Sequence, residues 1–277
     1  MLERTPEHEP PTDDAVETAD CWRCSLPFAI DAVRCPHCQA NRSRRTRAFE
    51  PKRFAPAIRD DSWPVKVLVI SFSLLLATGL IHAATLGVRF GDADGLTPHQ
   101  RQEAWAQILA VEAVDALIVW VTYLVLRGQP QPKLTERRRL WAWPASIPLL
   151  GVMLALNVGY HWVLRYLIGD LSLEEELMET PSWTIFFAVC IQPAIVEEAY
   201  CRGIALGILR RISGMHSAVW ISAMMFGLMH VSVALSIPYL ILFGAFVGYM
   251  RIVSGTIWLP ILLHFLHNLA VVLSEWN

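Results

Sequence analysis

The chain contains little charge for its length. Charged residues make up 17% of its 277 residues, against about 25% in a typical soluble domain, while hydrophobic residues make up 54%. This shortage of charge excludes a soluble enzyme and a disordered chain, because both classes need far more polar surface. The net charge of −2 also gives no electrostatic basis for binding nucleic acid.

Cysteine is scarce too, and the N-terminus has no secretory signal. The six cysteines are too few and too patterned for the disulfide framework of a secreted scaffold. Residues 1–20 contain seven acidic residues and no apolar stretch of the kind that a signal peptide needs. We therefore expect residues 1–20 to form an acidic disordered tail and membrane insertion to begin at an internal segment.

Apolar runs close to 20 residues long fill most of the remaining chain. A helix of that length crosses about 30 Å of hydrocarbon. The candidate spans are 65–88, 103–126, 140–164, 182–209, 217–235, 238–250 and 256–274. The sequence therefore predicts an all-α polytopic membrane helical bundle of about seven transmembrane helices over residues 63–277, surrounded by the lipid bilayer.

The charges between these runs predict the orientation of the chain. Residues 41–62 form a basic juxtamembrane linker, loop 127–139 is basic, and loop 169–181 is acidic. Basic loops stay on the cytoplasmic side of a membrane. The alternation therefore predicts a multi-pass protein of the cell membrane whose N-terminus lies in the cytoplasm.

Residues 21–40 carry two Cys-x-x-Cys pairs that are typical of a zinc ribbon, in which four thiolates bind one structural Zn²⁺. The predicted ligands are Cys21, Cys24, Cys35 and Cys38. A redox dithiol and incidental cysteines are the alternatives, but so short a segment has no core without a metal. Four thiolates leave no open position for catalysis, so we expect this zinc to stabilise the module or to support binding of a protein partner.

Three charged residues lie inside the fourth candidate span. Inserting a charged residue at the centre of a membrane helix costs about 2.5–3.5 kcal/mol on insertion scales, so such residues indicate a function. Glu198 and Arg202 lie four residues apart on one helix face and are expected to form an ion pair. Glu197 points about 100° away from Glu198, so it is free to face another helix.

Polar side chains also interrupt the fifth and seventh spans. Phe226 and His230 share one helix face, and so do His264 and Asn268. Measured from the span centres, Glu197, His230 and His264 lie within roughly 6 Å of one plane at 1.5 Å per residue. Three helices would thus bring polar groups to one depth, which predicts a buried site suited to hydrolysis.

The order Glu-Glu-x-x-x-Arg, Phe-x-x-x-His and His-x-x-x-Asn on late apolar helices resembles the CAAX protease and bacteriocin-processing family (CPBP or Abi family) of intramembrane endopeptidases. All three motifs are present, and the resemblance covers roughly residues 140–275, the predicted protease core. It implies an endopeptidase that hydrolyses peptide bonds of a membrane-associated protein or peptide. Cleavage would fall near the substrate C-terminus if the chain acts like the prenyl-processing members.

The resemblance also implies a catalytic role for each pair of residues. Glu197 and His230 would activate the attacking water, and Glu198 and Arg202 would brace the site. His264 and Asn268 would stabilise the oxyanion. Both a metal-free glutamate mechanism and a catalytic metal held by Glu197, His230 and His264 stay open. His267 is expected in interior helix contacts, although its position beside Asn268 would let it substitute for His264.

Two rival function classes rest on other features. Glu112 and Asp115 in the second span could form an ion or proton path, which would make the chain an ion-coupled transporter. In the simpler interpretation both acids face the bundle and pair with neighbours. The candidate partners are His82, His161, Arg165 and water. The second rival is a catalytically silent membrane scaffold that recruits partners through the zinc ribbon.

Overall fold

The structure is a computed structural model that describes residues 18–21, 26–37, 62–90, 97–127, 139–168 and 183–275. The chain divides into two compact units, Met1–Asp60 and Asp61–Asn277. The first unit contains the cysteine motifs and the second contains the apolar runs, so the division falls close to the start of the predicted bundle at residue 63.

The described part of the first unit contains a small antiparallel hairpin. Strand β1 (Thr18–Asp20) pairs with β2 (Pro27–Ala29), so the last three residues assigned to the disordered tail are instead in a strand. Cys21 and Cys35 are both buried. The other two predicted zinc ligands, Cys24 and Cys38, lie outside the described residues, and the zinc ribbon therefore stays a prediction.

The described residues of the second unit form seven helices and no strand, which confirms the all-α membrane bundle. The helices are α1 (Ser62–Phe90), α2 (Pro98–Leu126), α3 (Ala142–Ile168), α4 (Trp183–Ser213), α5 (Met215–Met229), α6 (Ile237–Ser254) and α7 (Trp258–Glu275). Five segments are long and apolar enough to cross a membrane, namely α1 to α4 and α6 with the turn before it. α5 and α7 are apolar but shorter.

The fourth helix switches from α-helical to π-helical hydrogen bonding twice. Two π-helical segments, Phe186–Ile191 and Ala199–Ala205, flank the α-helical stretch Gln192–Glu198. Pro193 lies at the start of that stretch and has no N–H, so it cannot donate to the carbonyl of Val189, four residues earlier. π-helical segments are frequent at functional sites, and here they surround the two consecutive glutamates of the predicted site.

Glycines with positive φ end two of the helices. Gly214, with φ 79° and ψ 176°, separates α4 from α5. Gly255, with φ 69°, ends α6 in the left-handed conformation and donates from its backbone N–H to the Arg251 carbonyl. Side chains with a Cβ rarely adopt such backbone angles, so both glycines fix the places where the chain reverses direction.

The predicted fifth span, 217–235, is wrong at its C-terminal end. α5 stops at Met229, His230 has φ −93° and ψ 35°, and Val231–Ser236 form a 3-10 turn that leads into α6. Pro238 in the first turn of α6 is pre-organised for a helix start. His230 therefore lies at the end of a short helix and not within a continuous span, and the sixth helix is longer than predicted.

Tyr200 joins α4 to α1. Its side chain is fully buried, and its hydroxyl lies 3.0 Å from Oγ of Ser71 and 3.2 Å from the Leu68 carbonyl. A buried hydroxyl needs such partners because its desolvation is otherwise uncompensated. The contact holds the turn of α4 that follows Glu198 at a fixed height against α1.

Candidate active site

Two consecutive glutamates of α4 contact two different histidines. Glu197 faces His230 at the end of α5, and Glu198 faces His264 in α7. Neighbouring residues on a helix point about 100° apart, so one turn of α4 can reach two other helices. The structure thus brings Glu197 to His230, two of the three residues predicted to lie at one depth, and it brings the third, His264, to Glu198.

Glu198, Arg202 and His264 form a fully buried cluster. The Glu198 carboxylate accepts from Arg202 Nη1 at 2.9 Å and from His264 Nδ1 at 3.1 Å, both through Oε1. The Glu198 and Arg202 side chains are 0% exposed and the His264 side chain is 3% exposed. The ion pair expected between Glu198 and Arg202 is therefore present, and it is joined by a histidine that lies 66 positions further along the chain.

Arg202 is held by two further contacts on the bundle interior. Its Nη2 donates to the carbonyl of Gly244 in α6 at 2.7 Å, and its guanidinium lies 4.6 Å from the ring centroid of Phe226. A Cβ on Gly244 would lie 3.2 Å from Nη2, so a glycine at this position lets the guanidinium reach the backbone. Arg202 consequently links α4, α5 and α6.

Glu197 and His230 form the more accessible pair. Glu197 Oε2 lies 3.5 Å from His230 Nε2, and the two side chains are 18% and 23% exposed. His230 Nδ1 lies 2.9 Å from the Phe226 carbonyl, which can only accept, so Nδ1 carries a proton and the neutral ring presents a lone pair at Nε2. Glu197 Oε2 has no hydrogen-bond partner among the described residues.

Asn268 lies in α7 and contacts the π-helical part of α4. Its Nδ2 donates to the Val189 carbonyl at 2.8 Å, and its Oδ1 lies 3.1 Å from His267 Nδ1. The carbonyl of Val189 is the one that Pro193 leaves without its α-helical donor. The side chain of Asn268 is therefore oriented by the backbone of the helix that carries both glutamates.

Residues 179–270 match the family model described as type II CAAX prenyl endopeptidase Rce1-like. The matched range contains both glutamates, Arg202, both histidines and Asn268, and it is narrower than the predicted core of 140–275. The match supports the CAAX protease and bacteriocin-processing family and, in general terms, an intramembrane endopeptidase activity. No curated protein and no solved structure matched the chain significantly.

The alternative of a catalytic metal would use Glu197, His230 and His264 as its ligands. Among the described residues, no group of three or more His, Cys, Asp or Glu side chains is close enough to hold a metal ion. Nδ1 of His264 lies 3.1 Å from Glu198 Oε1, so only its Nε2 is available to a metal. The catalytic metal therefore stays a prediction.

Glu112 and Asp115 on α2 lie close enough to Glu197 to interact with it electrostatically. Asp115 Oδ1 accepts from Thr78 Oγ1 of α1 at 2.6 Å, a partner that sequence analysis did not predict. Both acids therefore face the bundle. One of their predicted partners, His161, instead has its two ring nitrogens against the Asn157 carbonyl and Ser236 Oγ.

Several contacts that hold the site are not indicated by the sequence motifs. The carbonyls of Gly244, Phe226 and Val189 are backbone groups, and a side-chain motif does not reveal them. Tyr239 is also missed, although its hydroxyl contacts His267. One sequence signal was available: Pro193 lies four residues after Val189 and so indicates a carbonyl that needs a donor from elsewhere.

An apolar groove of about 240 Å³ lies between α4 and α7. Ile195 and Phe265 both line this groove. Ile195 lies two residues before Glu197, and Phe265 directly follows His264. Its lining is almost entirely apolar, as expected for a surface that meets lipid or an apolar segment of another chain.

Proposed function

We propose that this protein is an intramembrane endopeptidase that hydrolyses peptide bonds of a membrane-associated protein or peptide without a catalytic metal. The observation that carries the proposal is the 3.5 Å approach of Glu197 Oε2 to His230 Nε2 beside the buried Glu198–His264 contact. The family match at residues 179–270 supports the same reaction class.

Water activation is the role of Glu197 and His230. Because Nδ1–H donates a hydrogen bond to the Phe226 carbonyl, Nε2 of the neutral His230 ring is an acceptor, as is the Glu197 carboxylate. A water molecule beside both acceptors donates its protons to them and directs a lone pair at the scissile carbonyl carbon. Attack forms the new C–O bond while the Glu197 carboxylate takes the water proton.

Asn268 and His264 are placed to stabilise the tetrahedral oxyanion. Asn268 Nδ2 has two hydrogens, and the Val189 carbonyl accepts one of them, so the other is available to the substrate oxygen. His264 donates through Nδ1 to Glu198 and can donate through Nε2 only as the imidazolium. Fixed donors of this kind, in a site from which water is largely excluded, contribute most of the stabilisation in acyl-transfer enzymes.

Collapse of the intermediate breaks the C–N bond. The proton that Glu197 received passes to the leaving nitrogen, so the carboxylate is regenerated and the products are a carboxylic acid and an amine. Glu198 and Arg202 keep His264 in place throughout, since both are buried and joined at 2.9 Å. They brace the site and do not touch the substrate.

The decisive experiment compares new protein N-termini and C-termini in membranes of cells that express the wild type or Glu197→Ala. We expect termini that occur only with the wild type, because the variant lacks the base that activates water. Glu103→Ala is the matched control, since Glu103 lies on α2 and its side chain is 48% exposed. Its termini should equal those of the wild type. Identical profiles for the wild type and a folded, equally abundant Glu197→Ala would refute the proposal.

A further inference from the structure

His267 is buried beside Asn268 and has a contact at each ring nitrogen. Nδ1 lies 3.1 Å from Asn268 Oδ1, and Nε2 lies 2.6 Å from the Tyr239 hydroxyl. The residue as a whole is 4% exposed. A buried histidine whose two nitrogens both have partners is fixed in its ring orientation and its tautomer.

The Val189 carbonyl determines which way the Asn268 amide points. A carbonyl only accepts, so the atom 2.8 Å from it must be Nδ2, the donor of the amide. Oδ1 consequently faces His267, and because Oδ1 is also only an acceptor, His267 Nδ1 must carry a proton. The orientation of the amide and the tautomer of the ring are thus fixed by one backbone group.

Pro193 makes that backbone group available. In an uninterrupted α-helix the N–H of residue 193 would donate to the Val189 carbonyl, but proline has no N–H. The Asn268 side chain donates to this carbonyl instead. The interruption of α4 and the position of Asn268 are therefore parts of the same arrangement.

Tyr239 completes the chain of contacts on the far side of His267. Its hydroxyl lies 2.6 Å from His267 Nε2 and 3.1 Å from the Met153 carbonyl. The hydroxyl has a single hydrogen, and because Nε2 of the Nδ1–H ring can only accept, that hydrogen is assigned to Nε2 at 2.6 Å and not to the Met153 carbonyl. The series of hydrogen bonds runs from α6 through α7 to α4, so it connects three helices through one amide.

We infer that His267 is a positioning residue that orients the Asn268 amide for oxyanion stabilisation. The inference rests on the proposed function, because only a hydrolase makes use of the second N–H of Asn268. His267 acts by donating from Nδ1 to Oδ1, which prevents the amide from rotating and keeps that second N–H directed into the site. It does not itself touch the substrate.

Two substitutions of His267 separate the donor position at Nδ1 from the contact at Nε2. The amide of His267→Asn lies where Nδ1 was and can still donate to Asn268, whereas the amide of His267→Gln reaches only the position of Nε2. The probe is a synthetic peptide that spans the cleavage site mapped by the comparison of termini. We expect His267→Gln to lower kcat about 100-fold with KM nearly unchanged, because a misplaced oxyanion donor costs rate and not binding.

We expect His267→Asn to keep kcat within about fivefold of the wild type, since one hydrogen bond is kept and one is lost. The matched control is His216→Gln. His216 is an exposed residue of α5 whose Nδ1 lies 2.9 Å from the Tyr249 hydroxyl. This substitution therefore also removes a histidine–tyrosine contact, but at a position outside the site. Its kcat should equal that of the wild type. Equal losses in His267→Asn and His267→Gln, or no loss in either, would overturn the inference.

A spectroscopic measurement tests the arrangement without relying on activity. In ¹⁵N-histidine spectra of the whole protein in detergent, His267 should be the Nδ1–H tautomer, and its signal is assigned by sequential backbone correlation in the wild type. If both variants fail to fold, this measurement on the wild type decides, and an Nε2–H or doubly protonated ring overturns the inference. A wild type that cleaves no substrate overturns the proposed function and this inference together, whereas cleavage that survives His267→Gln overturns the inference alone.

Discussion

Glu198 accepts a hydrogen bond of 3.1 Å from His264, a residue 66 positions further along the chain. The preceding residue, Glu197, lies 3.5 Å from a different histidine, His230, and is partly exposed where Glu198 is fully buried. The two consecutive glutamates thus have different surroundings. In the proposed mechanism the buried Glu198 has a structural role, and the partly exposed Glu197 reacts with water.

Substituting each of these glutamates by glutamine should separate stability from activity. Glu198→Gln leaves the buried Arg202 guanidinium without its counter-ion, and removing one partner of a buried ion pair typically destabilises a protein by about 3–5 kcal/mol. Glu197→Gln removes no such pair, so its unfolding should match that of the wild type while its cleavage is abolished. Thermal unfolding in detergent and the yield of new termini in membranes measure the two effects.

The contrast between the two variants makes this prediction specific. A Glu198→Gln protein as stable as the wild type would show that the buried charge of Arg202 is balanced elsewhere. A Glu197→Gln protein that unfolds as early as Glu198→Gln would instead give Glu197 a structural role.

Gly244→Ala should disturb Arg202 through close packing. The added Cβ would lie 3.1 Å from Ala223 Cα and 3.2 Å from both Arg202 Nη2 and Phe226 Cδ1, and overpacking of this kind costs about 1–3 kcal/mol. We expect a lower unfolding temperature and weaker cleavage. The control is Gly151→Ala on the exposed side of α3, where a Cβ has nothing within 4 Å, and it should be neutral. An unchanged Gly244→Ala protein would show that α5 and α6 can separate without affecting the site.

Zinc content should follow the cysteines of the first unit. The predicted ribbon requires one zinc per chain, and Cys35→Ser should abolish it because three thiolates hold the ion far more weakly. Cys190→Ser is the control, since Cys190 is a buried free thiol of α4. His230→Ala should also retain the zinc. Elemental analysis of the purified full-length protein measures this, and zinc lost in His230→Ala but kept in Cys35→Ser would contradict the metal-free mechanism and the ribbon.

The acids of α2 should not conduct ions. Glu112 and Asp115 lie close enough to Glu197 to interact with it electrostatically, as an ion path would require, but Asp115 is already hydrogen-bonded to Thr78 within the bundle. We expect proteoliposomes with the wild type or Glu112→Ala to show equal, background proton flux in an assay with an enclosed pH-sensitive dye. Flux that requires Glu112 would favour the transporter interpretation over the peptidase.

The architecture could be predicted because membrane burial leaves a strong pattern in one dimension. Apolar runs of the required length predict helices whatever they pack against, and α1 to α4 lie close to their predicted spans. The end of α5 was not predictable in this way. Residues 217–235 are mostly apolar on both sides of His230, so the hydropathy predicts one continuous span across the break at that residue. Only the positions of Pro238 and of the following helix explain it.

The sequence by itself determined that the chain is a helical membrane bundle and which polar residues it buries, because charge inside an apolar span is costly and is therefore conspicuous. It also determined the contact between Glu198 and Arg202, since four residues make one helical turn. Only the tertiary structure decided that His264 donates to Glu198, that Asn268 is oriented by Val189 and His267, and that Gly244 receives Arg202. These contacts join residues far apart in the chain, many of them through backbone carbonyls, and a carbonyl is present at every position and leaves no mark on the sequence.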